Sequence, residues 1–338
     1  MFIMRERLVW LDLLRGFLLL LICIGHFNDY PSFVEFIIKP TAMYYVPMFY
    51  MISGYLFNPN NSFKDYFFKK TKSLLIPYLF FSALFILMDW NTYIHPLSAI
   101  KENLYQCLIL GKGVSKSSPL WFVIVLYFSS LIIFMIRKLF VNQYAIVIII
   151  ALLSITAYIF SVKMIEFPLL IHLIPSTVTF MAAGYLFKLF SKRKFFWYAV
   201  SIIIGFWGMF IDLGDMHLNR INNYPMFFIY PMIFTFGIIN AFNTMNSFIE
   251  KSRFLKIFTW ISKNGIVILS CHCWLIFIFS VFIGQIPIID NNVWILFISK
   301  LVFVMLGLYL FFVPIINKYC YIFLGKKQSL HYKESLIL

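Results

Sequence analysis

Three ionisable residues stand inside an apolar run long enough to cross a membrane. From Leu8 to Phe27 the chain reads Trp10-Leu11-Asp12-Leu13-Leu14-Arg15-Gly16 and then, after a further apolar stretch, Cys23-Ile24-Gly25-His26-Phe27. A charge at the centre of a span costs about 2.5 to 3.5 kcal/mol on insertion scales, so such groups normally face a bundle interior or a wet cavity. Asp12 and Arg15, at i and i+3, share a helical face and can neutralise each other. His26 lies eleven residues beyond Arg15, about 16 Å along a helical axis, where three turns return it close to the same face. One helix thus offers a cation deep on one side and a titratable base, fit for proton transfer, towards the other. The alternative for the Asp12–Arg15 pair is an anchor at one end of the helix. For His26 it is a packed, hydrogen-bonded side chain.

The rest of the chain must hold that helix in place. Its 338 residues are 62% hydrophobic and 12% charged, against about 25% charged in soluble domains, which excludes a water-soluble protein. Apolar runs of bilayer length occur at about 8–27, 41–57, 74–90, 119–136, 143–162, 168–187, 195–213, 225–242, 262–283 and 293–316. The fold class expected is therefore all-α: a polytopic bundle of about ten transmembrane helices, with residues 1–338 forming a single transmembrane domain. The first run opens like a signal peptide, after Arg5 and Arg7. Arg15 and the absence of a small-residue cleavage site make it a retained helix.

The net charge of +15 sorts by side rather than forming a nucleic-acid surface. Arg5 and Arg7, Lys64 to Lys72, Arg137 and Lys138, Lys188 to Lys194, Lys251 to Lys263, and Lys318 to Lys333 fall on one side of the ten runs. Only Lys39, Lys101, Lys112, Lys116, Lys163 and Arg220 fall on the other. The positive-inside rule then places both termini in the cytoplasm, and no nucleic acid is expected as a partner. The longest connection, about 91–118, faces outward, and its amphipathic stretch Ile100 to Leu110 could lie at the interface and cover the outer mouth. The five cysteines show no disulfide or metal spacing. Cys271 and Cys273 flank His272 on different helix faces, and no metal site is expected.

The spacing of Arg15 and His26, preceded by Asp12-x-x-Arg15-Gly16, resembles the opening signature of the acyltransferase-3 family of bacterial membrane O-acyltransferases. Three further stretches are similar to that family in order and separation. They are Val46-Pro47-Met48-Phe49-Tyr50-Met51-Ile52-Ser53-Gly54-Tyr55-Leu56-Phe57, Ile76-Pro77-Tyr78, and Leu120-Trp121-Phe122. Within the family the chain looks closest to the fucose 4-O-acetylase-like group. One departure is Lys69-Lys70-Thr71-Lys72, where the family often has Arg-x-x-Arg. Lysines keep the charge but lack the bidentate fork that suits phosphate, so this element is either a coenzyme A site or an ordinary cytoplasmic basic cluster.

The resemblance implies transfer of an acetyl group from acetyl-CoA to a hydroxyl of a surface polysaccharide or lipid-linked glycan, at a bacterial inner membrane, with acetyl-CoA as co-substrate and no permanently bound cofactor. It implies His26, Arg15 and Asp12 as the catalytic group. The donor would meet Arg15, Lys69, Lys70 and Lys72, with Ser53 and Trp121 beside it. His26 would act as general base or carry the acyl group as acyl-histidine. Asp29 and Glu35 could orient His26 or bind sugar hydroxyls, or be solvated loop charges. His272 is either a packed or cavity-lining histidine, placed to meet substrate, or a second catalyst, and His172 is likewise either packed or a second catalyst. His95 and His217 are outward loop residues placed to meet acceptor. The rival from another class is a glycan-export or other transporter component, in which Pro47, Gly54 and Pro231 would break helices at mid-membrane. Labelled acetyl-CoA entering glycan separates the two.

Overall fold

The computed structural model describes residues 8–89, 91–114, 119–190, 195–246, 254–283, 286, 289 and 291–326. Arg5, Arg7, Lys116, Lys192, Arg193, Lys194, Lys251, Arg253, Lys327 and Lys333, used above to assign sides, lie outside the described residues.

The helices in chain order are α1 (Val9–Gly25), α2 (Ser32–Tyr55), α3 (Phe63–Met88), α4 (Pro96–Leu104), α5 (Leu120–Leu139), α6 (Gln143–Val162), α7 (Pro168–Leu189), α8 (Phe195–Gly208), α9 (Met226–Thr244), α10 (Phe254–Lys263), α11 (Gly265–Phe282) and α12 (Val293–Tyr319). Each apolar run in the sequence coincides with one of them. Among the described residues, seven of the ten helices that carry an apolar run, α3, α5, α6, α7, α9, α11 and α12, are long and apolar enough to cross a bilayer. Of the other three, α1 has 17 residues, α8 has 14, and α2 is longer but begins with the charged turn of Glu35 and Lys39. The chain is an all-α, multi-pass membrane protein. Among the described residues the only strands are the antiparallel pair β1 (Gly214–Asp215) and β2 (Arg220–Ile221).

Helix ends depart from the apolar runs where the chain stays helical beyond the hydrocarbon. α3 starts well before Ile76 because Ser62 caps it: the Ser62 hydroxyl accepts the Asp65 N–H at 3.1 Å and donates to the Asp65 carboxylate at 2.7 Å. Two π turns, Thr71–Leu75 in α3 and Leu308–Phe312 in α12, end just before Pro77 and Pro314. A proline ring collides with the carbonyl four residues back, and a widened turn relieves that clash. α2 runs unbroken through Pro40 and Pro47, and α9 through Pro231, so the mid-membrane breaks a transporter would use are not found at these prolines.

Helices in lipid gain little from the hydrophobic effect and associate through close packing and interhelical polar contacts. α7 is almost wholly buried and forms the axis of the bundle. It meets α2 backbone to backbone: a Cβ on Gly54 would overlap the Met181 carbonyl, and one on Gly184 would overlap that of Met51. Gly16 admits the Phe258 carbonyl of α10 to α1 in the same way. Ser129 and Thr177 join α5 to α7 through their hydroxyls. α6 turns Val147, Ile148, Leu152, Ile155 and Ile159 outward as a lipid-facing stripe. The amphipathic α4 segment docks on α3, with the Tyr78 hydroxyl donating to the Cys107 carbonyl at 2.6 Å and Asn103 donating to the Asp89 carboxylate at 3.1 Å.

Candidate active site

α1 ends at Gly25, and His26 folds back onto its last turn. His26 Nδ1 lies 2.7 Å from the Ile22 carbonyl oxygen. A carbonyl can only accept, so Nδ1 carries the proton and Nε2 keeps the lone pair. Gly25 leaves room for Tyr45, whose hydroxyl oxygen would lie 2.9 Å from a Cβ at that position. The α1 terminus and the α2 phenol are thereby brought together.

His26 and Tyr45 line a cavity of about 200 Å³ together with Trp121, Phe122, Asp215 and His217. The last two stand on the β1–β2 hairpin, fixed by local polar contacts. Gly214 takes a φ of +113° that side chains disfavour. The Asp215 carboxylate accepts the N–H groups of His217 at 2.8 Å and Leu218 at 3.2 Å. The Ile221 N–H donates to Ser161 of α6 at 2.8 Å. This frame lays the His217 ring on the Trp121 indole, with centroids 4.8 Å apart and planes at 30°. Burial holds His217 below the usual histidine range, opposed by the Asp215 carboxylate, so the stacked ring is neutral at pH 7. Pro47 and Pro231 cannot donate to the carbonyls of Met43 and Phe227, four residues earlier. Both of those residues line the cavity. The α4 segment, expected as a cover, contributes none of the lining residues; the hairpin does.

Beside the cavity, fully buried His272 of α11 packs edge-on against His26, with ring centroids 5.0 Å apart. Its Nδ1 is 2.9 Å from the Ile268 carbonyl and so carries the proton. Its Nε2 lone pair faces His26 Nδ1 at 3.4 Å and the Cys273 sulfur at 3.4 Å. The His26 N–H is therefore shared between the Ile22 carbonyl and the His272 lone pair. Both acceptors favour the same tautomer and hold the ring plane. His272 meets His26 directly, a relation that no spacing within one helix could reveal.

At the other end of α1, Asp12 accepts the Ser262 hydroxyl at 3.1 Å. Half-buried Arg15 lies close enough to Lys70 to interact with it electrostatically, as Lys69 does. Lys70 also sits over the Tyr66 ring at 5.5 Å, and Lys72 is exposed. Arg15, Lys69 and Lys70 are thus one cationic group formed by α1 and α3. Trp121 is placed elsewhere, in the His26 cavity. The Ser53 hydroxyl donates to the Phe49 carbonyl at 2.9 Å, and Ser53 does not line the cavity.

Neither early carboxylate lines the cavity. Glu35 pairs with Lys39 one turn on. Asp29 accepts from Lys300 of α12 at 2.8 Å, and the Lys300 ammonium lies 5.8 Å from the Phe27 ring and 5.8 Å from the Phe279 ring. Lys300 is only 2% exposed, and the pair clamps the loop that follows His26 onto α12. Removing one partner of a buried pair leaves an uncompensated charge. Because Asp29 is itself half-exposed, Asp29→Asn is expected at the low end of that cost, about 3 kcal/mol. Lys300→Met, which removes the buried charge, should cost less. The inactivation temperature of the purified protein in detergent measures both, and equal loss in the two variants would mean that the ion pair is not the clamp.

His172 accepts the Phe167 N–H at 2.9 Å and holds the start of α7, whereas His95 is exposed. Tyr45, Asp215 and Lys300 were not among the sequence candidates. Lys300 carried the clearest signal, a cation alone within a span, while Tyr45 was hidden among twenty tyrosines.

A family model described as an acyltransferase domain matches residues 8–313, which takes in α1 through most of α12. No curated protein matches the chain. No solved structure does either.

Proposed function

The chain belongs to the acyltransferase-3 family, and from that premise we propose that it carries an acetyl group from cytoplasmic acetyl-CoA to a hydroxyl of a cell-surface polysaccharide or lipid-linked glycan. It is a multi-pass membrane acyltransferase. The finer reading rests chiefly on one observation: His26, at the far end of α1 from the Arg15 and lysine group, lines a cavity and has its Nδ1 proton committed to backbone, which leaves the ring's lone pair on Nε2. A bacterial inner membrane with both termini in the cytoplasm fits the sidedness of the basic loops.

In this reading the nucleotide phosphates sit on Arg15, Lys69 and Lys70, and the thioester arm extends along α1 towards His26. The acceptor enters beside the hairpin. Trp121 and His217 offer a flat apolar face for a sugar ring, and the Asp215 carboxylate offers an acceptor for its hydroxyls. Nε2 of His26 takes the proton of one hydroxyl as its oxygen attacks the thioester carbonyl. The C–S bond then breaks, and the imidazolium returns the proton to the departing thiolate. Tyr45 supplies an O–H donor for the carbonyl oxygen as negative charge develops there.

The direct experiment incubates membranes containing the protein with labelled acetyl-CoA and looks for alkali-labile label in glycan. Absence of label in a correctly inserted protein, with native glycan present, rejects the reading. Arg15→Ala is expected to raise the KM for acetyl-CoA about tenfold, the value of a charged hydrogen bond, with little change in kcat. A KM that stays put removes Arg15 from donor binding.

A further inference from the structure

His26, His272 and Cys273 bring two imidazoles and a thiol together from two helices. A nitrogen of each ring and the Cys273 sulfur all lie within 4.8 Å of one another. Two of the separations, His272 Nε2 to His26 Nδ1 and His272 Nε2 to Cys273 Sγ, are both 3.4 Å. Donors around a tetrahedral zinc ion, at about 2.0 to 2.1 Å for nitrogen and 2.3 Å for sulfur, are separated by about 3.3 to 3.6 Å, which these two pairs match, while the His26 and Cys273 pair, within 4.8 Å, closes by up to about 1.2 Å on binding. We propose that His26, His272 and Cys273 form a binding site for a soft d10 cation, zinc or its analogue cadmium, and that the bound ion reversibly shuts off the enzyme.

Two donor hydrogens, the His26 N–H and the Cys273 S–H, converge on the one lone pair of His272 Nε2. A cation placed among the three atoms bonds to sulfur and both nitrogens in their stead. Cys273 gives its proton to solvent, and the thiolate balances one of the ion's two charges. The His26 proton moves from Nδ1 to Nε2, breaking its bond to Ile22. His272 needs no such change, because the Ile268 carbonyl already holds its proton on Nδ1 and presents Nε2 as the ligand. The ligand set, two nitrogens and a sulfur, selects zinc-like ions over magnesium or calcium. A fourth position is left for water or an anion from the adjoining cavity, which His26 lines. Cys273 is half-buried and its neighbour Cys271 fully buried, and it is the Cys273 sulfur that lies against His272 Nε2.

The inhibitory half of the proposal rests on His26 acting as the base. An imidazole with metal on Nδ1 carries its proton on Nε2 and has no lone pair left to take one from a hydroxyl. The binding half stands on the three ligands alone, so the two halves separate experimentally.

Purified protein in detergent is titrated with cadmium chloride while the near-ultraviolet sulfur-to-cadmium charge-transfer band is followed. One equivalent of cadmium should produce a band that Cys273→Ser lacks, the four remaining thiols giving the same background in both proteins. His272→Gln should weaken cadmium affinity about tenfold or more. In the acyl-transfer assay, zinc chloride should suppress the unsubstituted protein, a chelator should restore it, and Cys273→Ser should resist zinc, each protein being scored against its own metal-free rate. Identical titrations of the two proteins, or equal zinc sensitivity, overturn the site. Should no acyl transfer be measurable from any form, the absorbance titration still decides the binding, and only the functional reading falls.

Discussion

Replacing His26 with alanine should lower acyl transfer about a thousandfold, mid-range for removal of a general base, while the protein stays inserted and binds donor as before. The reason lies in the local geometry. His26 is half-buried at a helix end, so little packing is lost with it. Its Nδ1 is spent on Ile22 and His272, which leaves Nε2 as the one lone pair on the ring. Turnover per inserted molecule, normalised by quantitative blotting, is the measurement. A loss below about tenfold would make His26 a spectator, since a base in the rate-limiting step contributes at least ten times more than that. Wild-type protein incubated with labelled acetyl-CoA in the absence of acceptor distinguishes the two possible roles. A base leaves no label on the chain, whereas an acyl-histidine retains it.

The fold was legible because the bilayer imposes a single coarse rule. An unpaired backbone amide in hydrocarbon is so costly that each apolar run of sufficient length must be helical, and the runs stand in chain order with polar breaks between them. Helix ends were less legible, because hydropathy marks where hydrocarbon stops and not where hydrogen bonding stops. α2 starts at Ser32 rather than near residue 41, and α3 at Phe63 rather than near 74. In both, the added turns carry charge: Glu35 and Lys39 in one, Lys64, Asp65, Lys69 and Lys70 in the other. The short α8 and the 17 residues of α1 show the converse, apolar segments barely long enough to span.

The candidate site was legible only where it lies along one helix. Asp12, Arg15 and His26 follow from α-helical spacing within α1. Their partners do not, because contact across the bundle has no sequence period: Ser262, Lys70 and His272 approach them from helices far away in the chain. Trp121 illustrates the same limit. The Leu-Trp-Phe resemblance implies a place beside the donor-binding lysines, yet the hairpin lays His217 upon Trp121 and places both in the His26 cavity. Asp29 is close enough to His26 in sequence to suggest a sugar contact, a brace for His26 or a solvated loop charge. Its counter-ion is Lys300, 271 residues away, and the carboxylate is occupied by the clamp.

His272 should then behave as a positioning residue whose loss slows turnover without touching donor affinity. His272→Phe keeps an aromatic ring of similar bulk in a fully buried slot and deletes the lone pair that receives the His26 N–H. The Ile22 carbonyl still favours the same tautomer, so the expected fall in kcat is about ten- to a hundredfold, the range for losing an outer hydrogen bond to a working histidine, and smaller than the fall for His26→Ala. The KM for acetyl-CoA should not move, because the Arg15 and lysine group lies three helical turns away along α1. His272→Gln, whose amide oxygen can accept the same N–H, should recover part of the rate. A purely structural role gives a different pattern: phenylalanine would cost folded yield, kcat per folded molecule would be preserved, and glutamine, the poorer shape match, would rescue nothing. Active-site titration alongside kcat separates these outcomes, because it counts competent molecules independently of how fast each one turns over.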